Sequence, residues 1–190
     1  MISLAIRHLV TQLNQFLKRS LELSEDVVVL SNLLEQNGDA APHVKNKIVI
    51  FLTNIERDVS PSRTPIRSNL GSRIVESSPP LYLNLYVMVV ANFTGNHYAE
   101  GLKFISSAIG YFQKQPVFDH QNSPDLDPRI EKLILDIENL KIQDLSNIWG
   151  QLNGKYLPSI LYKVRMLSLD NEDVVSQIPV VTTSDVSLHL

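Results

Sequence analysis

The sequence predicts an α+β fold in which a mixed, mainly antiparallel sheet of about five strands is flanked by helices. Two observations predict it: five segments have the β-branched or alternating apolar pattern of strands, and three segments have apolar residues at helical spacing. The chain has 190 residues, of which 44% are hydrophobic and 19% are charged. That composition is sufficient to bury a core and carries too few charges for a disordered chain.

The first part of the chain predicts one helix and two strands. Apolar residues recur at helical spacing near the N-terminus, at Ile2, Ile6, Leu9, Leu13 and Phe16. Polar residues are expected on the opposite side of this helix, at Arg7, Thr11, Asn14 and Lys18. A β-branched run over residues 26–34 predicts a strand that ends in turn-forming residues. Residues 47–55 are apolar on both faces, which is typical of an interior strand.

Strands and helices alternate in the rest of the predicted domain. Residues 81–93 alternate between two mostly apolar faces, which indicates a central strand. A helix over about residues 96–114 ends before Pro116, and Gly101 and Gly110 within it favour tight packing against the sheet. The last predicted elements are a strand through Leu133, Leu135 and Ile137, a short helix around residues 142–152 and a strand over residues 156–169.

Two segments have no evident place in this core. Residues 57–80 are rich in arginine, serine and proline, and connections of that length are usually functional or disordered. Residues 170–190 are rich in valine and threonine and favour an extended chain. We therefore interpret the sequence as one α/β domain over residues 1–169, with a long Arg/Ser/Pro loop at 57–80 and an extended C-terminal tail at 170–190.

The charge balance and the absence of cysteine exclude several classes of function. Seventeen basic and 20 acidic residues give a net charge of −3 and a pI near 5.9, which argues against a nucleic-acid binder. With no cysteine, the chain has no disulfide, thiolate metal site or thiol nucleophile. Arg7 and His8 interrupt the apolar run that a signal peptide needs, and no stretch reaches the ~20 apolar residues of a membrane span. We expect a cytoplasmic protein without nucleic-acid or membrane partners.

The most enzyme-like cluster consists of His120, Asp125 and Asp127. Two carboxylates and an imidazole in one loop could hold a divalent cation or perform acid–base chemistry. However, Asp127 precedes Pro128, and aspartates in such turns usually accept hydrogen bonds from their own backbone. The turn interpretation is favoured, and a small metal-dependent hydrolase is kept as the alternative function.

Two features favour contacts with other proteins. The long loop carries four arginines that could pair with carboxylates on an acidic protein surface, at Arg57, Arg63, Arg67 and Arg73. The tail could donate a strand to the sheet edge of a neighbour, through Ile178, Val180, Val181, Thr182, Thr183 and Val186. A solvated loop and a disordered tail are the alternatives.

Several stretches, in their order and spacing, resemble the cap or tail-terminator proteins of extracellular contractile injection systems, relatives of the antifeeding prophage cap. These stretches are residues 78–86 (SPPLYLNLY), 98–118, 126–128 (LDP), 152–158 (LNGKYLP) and 162–165 (YKVR). The resemblance runs from the first helix to about residue 169, which is nearly the whole predicted domain.

The resemblance implies a structural protein with the fold of phage tail terminators and no catalytic, cofactor or metal residues. Such proteins form a ring, expected to be a homohexamer, that closes the distal end of the inner tube, stops growth and anchors the last sheath ring. The implied partners are therefore the chain itself, the tube protein and the sheath protein. The four arginines become tube-contact candidates, and the tail residues become sheath-strand candidates. A monomeric adaptor is a third interpretation.

Overall fold

The computed structural model describes residues 1–35, 37–59, 66–70, 73–77, 81–152, 155–168 and 174–179. Its helices are α1 (Ile2–Leu21), α2 (Tyr98–Lys114) and α3 (Ile142–Gln151), with a 3-10 turn at Gly95–His97. Its strands are β1 (Val28–Leu30), β2 (Lys47–Arg57), β3 (Ile66–Leu70), β4 (Arg73–Ser77), β5 (Leu81–Asn92), β6 (Val117–Asp119), β7 (Ile130–Glu138), β8 (Ser159–Ser168) and β9 (Val174–Pro179). No helix in these ranges is long and apolar enough to cross a membrane.

The strands form two sheets. The larger sheet has six strands in the order β1-β2-β5-β8-β7-β6, in which β1 and β2 are parallel and every other pair is antiparallel. This confirms the predicted mixed, mainly antiparallel sheet flanked by helices. The smaller sheet has three strands in the order β3-β4-β9.

The larger sheet is covered on both faces, as the alternation along β5 predicts. Leu85, Val87 and Val89 lie in a core shared with α1 and α2, whereas Met88 and Val90 lie in a second core on the side of α3. Burial of side chains from a single strand on both faces stabilises a three-layer arrangement in which β5 is central. The interpretation of residues 81–93 as a central strand is confirmed.

The first helix packs its apolar face as predicted, through Ala5, Ile6, Leu9, Leu13 and Leu17, all of which are buried. It ends where Glu22 adopts a left-handed conformation with φ 53°, and the backbone N–H of Glu22 bonds to the carbonyl of Lys18. The expectation that Asn14 faces solvent is wrong. Asn14 is only 8% exposed because its side-chain amide bonds to the backbone at the start of β1.

The second helix approaches the sheet closely at one of its two glycines. A Cβ atom on Gly101 would lie 2.7 Å from Cβ of Phe93 and 2.9 Å from its Cγ, whereas a Cβ atom on Gly110 would meet no atom within 4 Å. The tight packing expected from these glycines is therefore present at Gly101 and absent at Gly110.

We predict opposite effects of alanine at these two glycines. Gly101→Ala should lower the free energy of unfolding by about 1–3 kcal/mol because the new methyl group overlaps Phe93. Gly110→Ala should raise it by up to ~1 kcal/mol because alanine favours a helix and the site is open. Urea unfolding of both variants measures the difference, and equal effects would contradict the close approach at Gly101.

Residues 57–80 were predicted to form a long loop, but in the structure they contain β3 and β4. These strands pair as an antiparallel hairpin from Ile66↔Ser77 to Leu70↔Arg73. β9, from the predicted tail, pairs with β4 within the same chain. β3 and β4 have only five residues each and no clear apolar alternation, so no strand was predicted there. β9 lies in the tail, which was predicted to be extended.

The chain leaves the larger sheet for the smaller one at a single end. Arg57, the last residue of β2, pairs with Leu83 near the start of β5, and Leu81 pairs with Ser168 at the end of β8. β2 and β8 therefore end, and β5 begins, at this end of the six-stranded sheet.

Candidate assembly surfaces

The first surface is an apolar groove beside α3. Trp149 is 4% exposed and joins the second core, yet Ile142 at the start of the helix is 87% exposed and Tyr156 beyond it is 62% exposed. A cavity of about 560 Å³ is lined by Ile142, Leu145, Ser146, Trp149, Gly150 and Tyr156. The exposed side chains of Ile142 and Tyr156 make this groove a candidate contact surface.

Trp149 links this groove to the core. Its ring packs against that of Tyr156 in an edge-to-face arrangement, with centroids 5.9 Å apart. The indole N–H is buried and has no hydrogen-bond partner in the described part of the chain. A buried donor without an acceptor costs free energy.

The face of the six-stranded sheet that packs against α3 becomes polar beyond this helix. The Tyr86 hydroxyl donates to Glu56 at 2.9 Å, and Arg165 pairs with Asp136 at 2.9 Å across β7 and β8. These groups are largely exposed, so each contributes at most about 1 kcal/mol to stability. The face therefore offers an apolar half at α3 and a charged half towards the end at which β2 and β8 end.

The arginine candidates are distributed over both sheets. Arg57 is exposed at the end of β2. Arg67 lies in β3 opposite Glu76, and Arg73 begins β4 opposite Leu70. Arg63 lies outside the described residues. The structure thus brings two of the four arginines into one hairpin, and their role in binding stays a prediction.

The tail candidates lie mostly beyond the described part of the chain. Ile178 belongs to β9 and pairs with Ile74 of β4. The other five candidates, Val180, Val181, Thr182, Thr183 and Val186, lie outside the described residues. Donation of a strand to a neighbouring molecule stays a prediction, whereas the described part of the tail adds its strand to its own chain.

The loop with the enzyme-like residues is built from turns. Asp127 accepts a hydrogen bond from the backbone N–H of Arg129, as the turn interpretation predicts, and both its carboxylate oxygens bind the Arg129 guanidinium at 2.9 and 3.0 Å. These bonds lower the pKa of Asp127 to about 2. Within the described ranges no three histidine or acidic side chains form a group that could hold a metal ion. The structure gives no support to a metal site at His120, Asp125 and Asp127.

Sequence reasoning missed a buried histidine beside that loop. His8 on α1 is 7% exposed, and its ring contacts that of Phe118 edge-on at 5.7 Å between centroids. Nε2 of His8 is buried and has no hydrogen-bond partner among the described residues. Burial lowers the pKa of His8 below its ordinary value, and the Asp125 carboxylate partly opposes this. Its position beside the apolar stripe of α1, between Ala5 and Leu9, was the available signal.

We predict that His8 lowers the free energy of unfolding at low pH. Because its pKa is lower in the folded chain, the unfolded chain binds the proton more readily. Its contribution to stability is complete above the ordinary pKa of 6.5 and is lost as the pH falls below that value towards the folded pKa.

Urea unfolding between about pH 7.5 and about pH 5 measures this loss in the wild-type chain and in His8→Leu, which cannot titrate. The fall in unfolding free energy should be smaller in His8→Leu. Equal pH dependence in the two proteins would show that His8 does not carry the effect.

Residues 5–183 match the sequence model of the Pvc16 N-terminal domain. This chain belongs to the Pvc16 N-terminal domain family. This match, together with the two solved structures described next, confirms the resemblance to cap proteins. No curated protein sequence matches the chain.

Two solved structures share the fold of this Pvc16 N-terminal domain. One is the PVC sheath/tube terminator of an extracellular contractile injection system in its extended state, with a TM-score of 0.59 and 14% identity over 100% of this chain and 64% of that one. The other is the anti-feeding prophage cap, a tube terminating cap, with a TM-score of 0.54 and 15% identity over 92% of this chain and 58% of that one. This chain therefore spans less than two thirds of the length of either protein.

Proposed function

We propose that this chain is a structural cap that closes the distal end of the inner tube of a contractile injection particle. In this role it stops the growth of tube and sheath and anchors the last sheath ring. The observation that carries the proposal is the fold shared with a sheath/tube terminator over the whole chain, within the Pvc16 N-terminal domain family.

The cap acts as a ring of identical copies, and we propose six. A head-to-tail ring needs two different patches on each copy. Exposed apolar side chains lie on both helical layers, at Tyr98 and Leu102 of α2 and at Ile142 of α3, with the six-stranded sheet between them. Patches on opposite sides of one sheet suit head-to-tail contact rather than pairing of two identical faces.

Tube and sheath are contacted by different segments. The arginines Arg57, Arg63, Arg67 and Arg73 reach carboxylates on the rim of the tube, where bidentate pairs fix orientation. The tail residues Ile178, Val180, Val181, Thr182, Thr183 and Val186 contact the sheath in an extended conformation. Both roles are supported by position along the chain, because β2, which precedes the arginine-rich segment, and β8, which precedes the tail, end at the same end of the six-stranded sheet.

The function is assembly without catalysis, cofactor or nucleic acid, and the chain is made in the cytoplasm before it enters a particle that the cell can release. The net charge of −3 supports protein rather than nucleic-acid partners. The pairing of the Asp127 carboxylate with Arg129 supports a structural rather than an acid–base role for its loop.

Electron microscopy of particles from cells that lack the chain tests the proposal. Tubes of uncontrolled length and sheaths without anchorage at the distal end are expected, and the wild-type gene should restore uniform particles. Particles of normal length and normal sheath attachment in these cells would overturn the cap function.

A further inference from the structure

The strand at the first edge of the six-stranded sheet is β1, and its backbone forms hydrogen bonds with a side chain from outside the sheet. The carbonyl of Val27 and the N–H of Ser31 form hydrogen bonds with β2. Because the direction of the backbone groups alternates from residue to residue along a strand, the N–H and C=O groups of Val28 point away from β2. Asn14 of α1 occupies that outer side. Its Oδ1 accepts from the N–H groups of Val27 at 3.0 Å and Val28 at 2.9 Å, and its Nδ2 donates to the carbonyl of Val28 at 2.8 Å.

The second edge, β6, has the same arrangement. The carbonyl of Pro116 accepts a hydrogen bond from the N–H of Leu135 in β7. Because the direction of the backbone groups alternates along a strand, the N–H and C=O groups of Val117 and Asp119 point outward. Asn122, in the turn after β6, bonds to both of them. Its Nδ2 donates to the carbonyl of Val117 at 3.0 Å, and its Oδ1 accepts from the N–H of Asp119 at 3.2 Å.

An asparagine amide presents the same donor and acceptor as a peptide group. At each edge it therefore takes the place that the backbone of an added strand would occupy. Unpaired N–H and C=O groups at the edge of a sheet otherwise pair readily with another chain. β1 and β6 are also only three residues long, which limits what an added strand could gain.

We propose that Asn14 and Asn122 close both edges of the six-stranded sheet against strand pairing between copies of this chain. Strand pairing with another molecule is thereby directed to the smaller sheet, whose outer strands are β3 and β9. This inference does not depend on the cap function, since it concerns how any two copies of the chain can associate.

Hydrogen exchange of the unaltered chain is the first test. The amides of Val28 and Asp119 should exchange more slowly than unprotected amides, by ~5-fold or more at Asp119, as expected for a hydrogen bond of about 1 kcal/mol. Exchange of Asp119 at the unprotected rate would show that Asn122 leaves this edge open.

The second test removes the side-chain amide of Asn122 from the edge strand β6. Asn122→Ala should raise Asp119 exchange to the unprotected rate, and its weight-average mass in light scattering should rise with concentration to at least about twofold that of the wild type. Asn122→Asp keeps the acceptor and adds a charge to the edge, so its mass should follow the wild type. Asn37→Ala is the matched control, because Asn37 is exposed and bonds within its own turn to Asp39.

A mass of Asn122→Ala equal to that of the wild type at every concentration would overturn the proposal. So would an equal rise in Asn37→Ala, because that residue touches no strand edge. If Asn122→Ala does not fold, Asn122→Ser is used for the mass, and the exchange rate in the unaltered chain still decides whether the edge is bonded.

Discussion

Asn14→Ala is expected to lower the free energy of unfolding by about 3–5 kcal/mol. The amide of Asn14 makes three buried hydrogen bonds to the backbone of Val27 and Val28, and alanine would leave two N–H groups and one carbonyl without partners. Because each unsatisfied buried group costs about 1–3 kcal/mol, this is the largest loss that we expect from one side chain. Urea unfolding followed by circular dichroism measures it.

Two variants separate the hydrogen bonds from the rest of α1. Gln15→Ala lies on the exposed side of the same helix and should change the unfolding free energy by less than about 0.5 kcal/mol. Asn14→Asp keeps both accepted bonds but loses the donor to Val28 and buries a charge, so it should also destabilise strongly. If Asn14→Ala and Gln15→Ala unfold at the same urea concentration, Asn14 does not hold β1.

Removal of residues 180–190 is expected to release the sheath from otherwise complete particles. If the tail donates a strand, main-chain hydrogen bonds supply the affinity, and their loss should reduce the fraction of tubes with attached sheath at least about tenfold. This truncation keeps Val174–Pro179, which pair with β4, so the smaller sheet is retained. Electron microscopy of assembled particles gives the fraction directly.

Point variants distinguish backbone from side-chain contacts in the tail. Val181→Pro removes one N–H and should weaken sheath attachment, whereas Thr183→Ala keeps the backbone and should weaken it less. Normal sheath attachment after truncation would remove the tail from this role without affecting the cap function, which the particle length tests separately.

The parts of the fold that the sequence predicted are those with long, regular patterns. α1, α2 and β5 each carry an apolar periodicity over 12 or more residues, and all three are present. β6 was not predicted because three residues are too few for a pattern. The pairing of β9 with β4 could not be predicted either, because it joins segments far apart in sequence and periodicity says nothing about partners.

The assembly surfaces were harder to predict than the fold. The apolar pattern over residues 142–152 predicted a short helix, but it could not show that Ile142 and Tyr156 remain uncovered. The sequence analysis also placed the polar side chain of Asn14 in solvent. A polar side chain within an amphipathic helix is normally exposed, and only the tertiary position of β1 gives it buried partners.

The smaller sheet also has a consequence for the order of events during synthesis. Ile74 and Ile178 are paired in it, and β5, α2, β7, α3 and β8 are all made between them. A nascent chain that has just completed β3 and β4 lacks their third strand until the last part of the larger sheet has left the ribosome. A translation product that stops before β9 therefore never displays the finished three-stranded surface, and it cannot compete for a place in an assembly that recognises this surface.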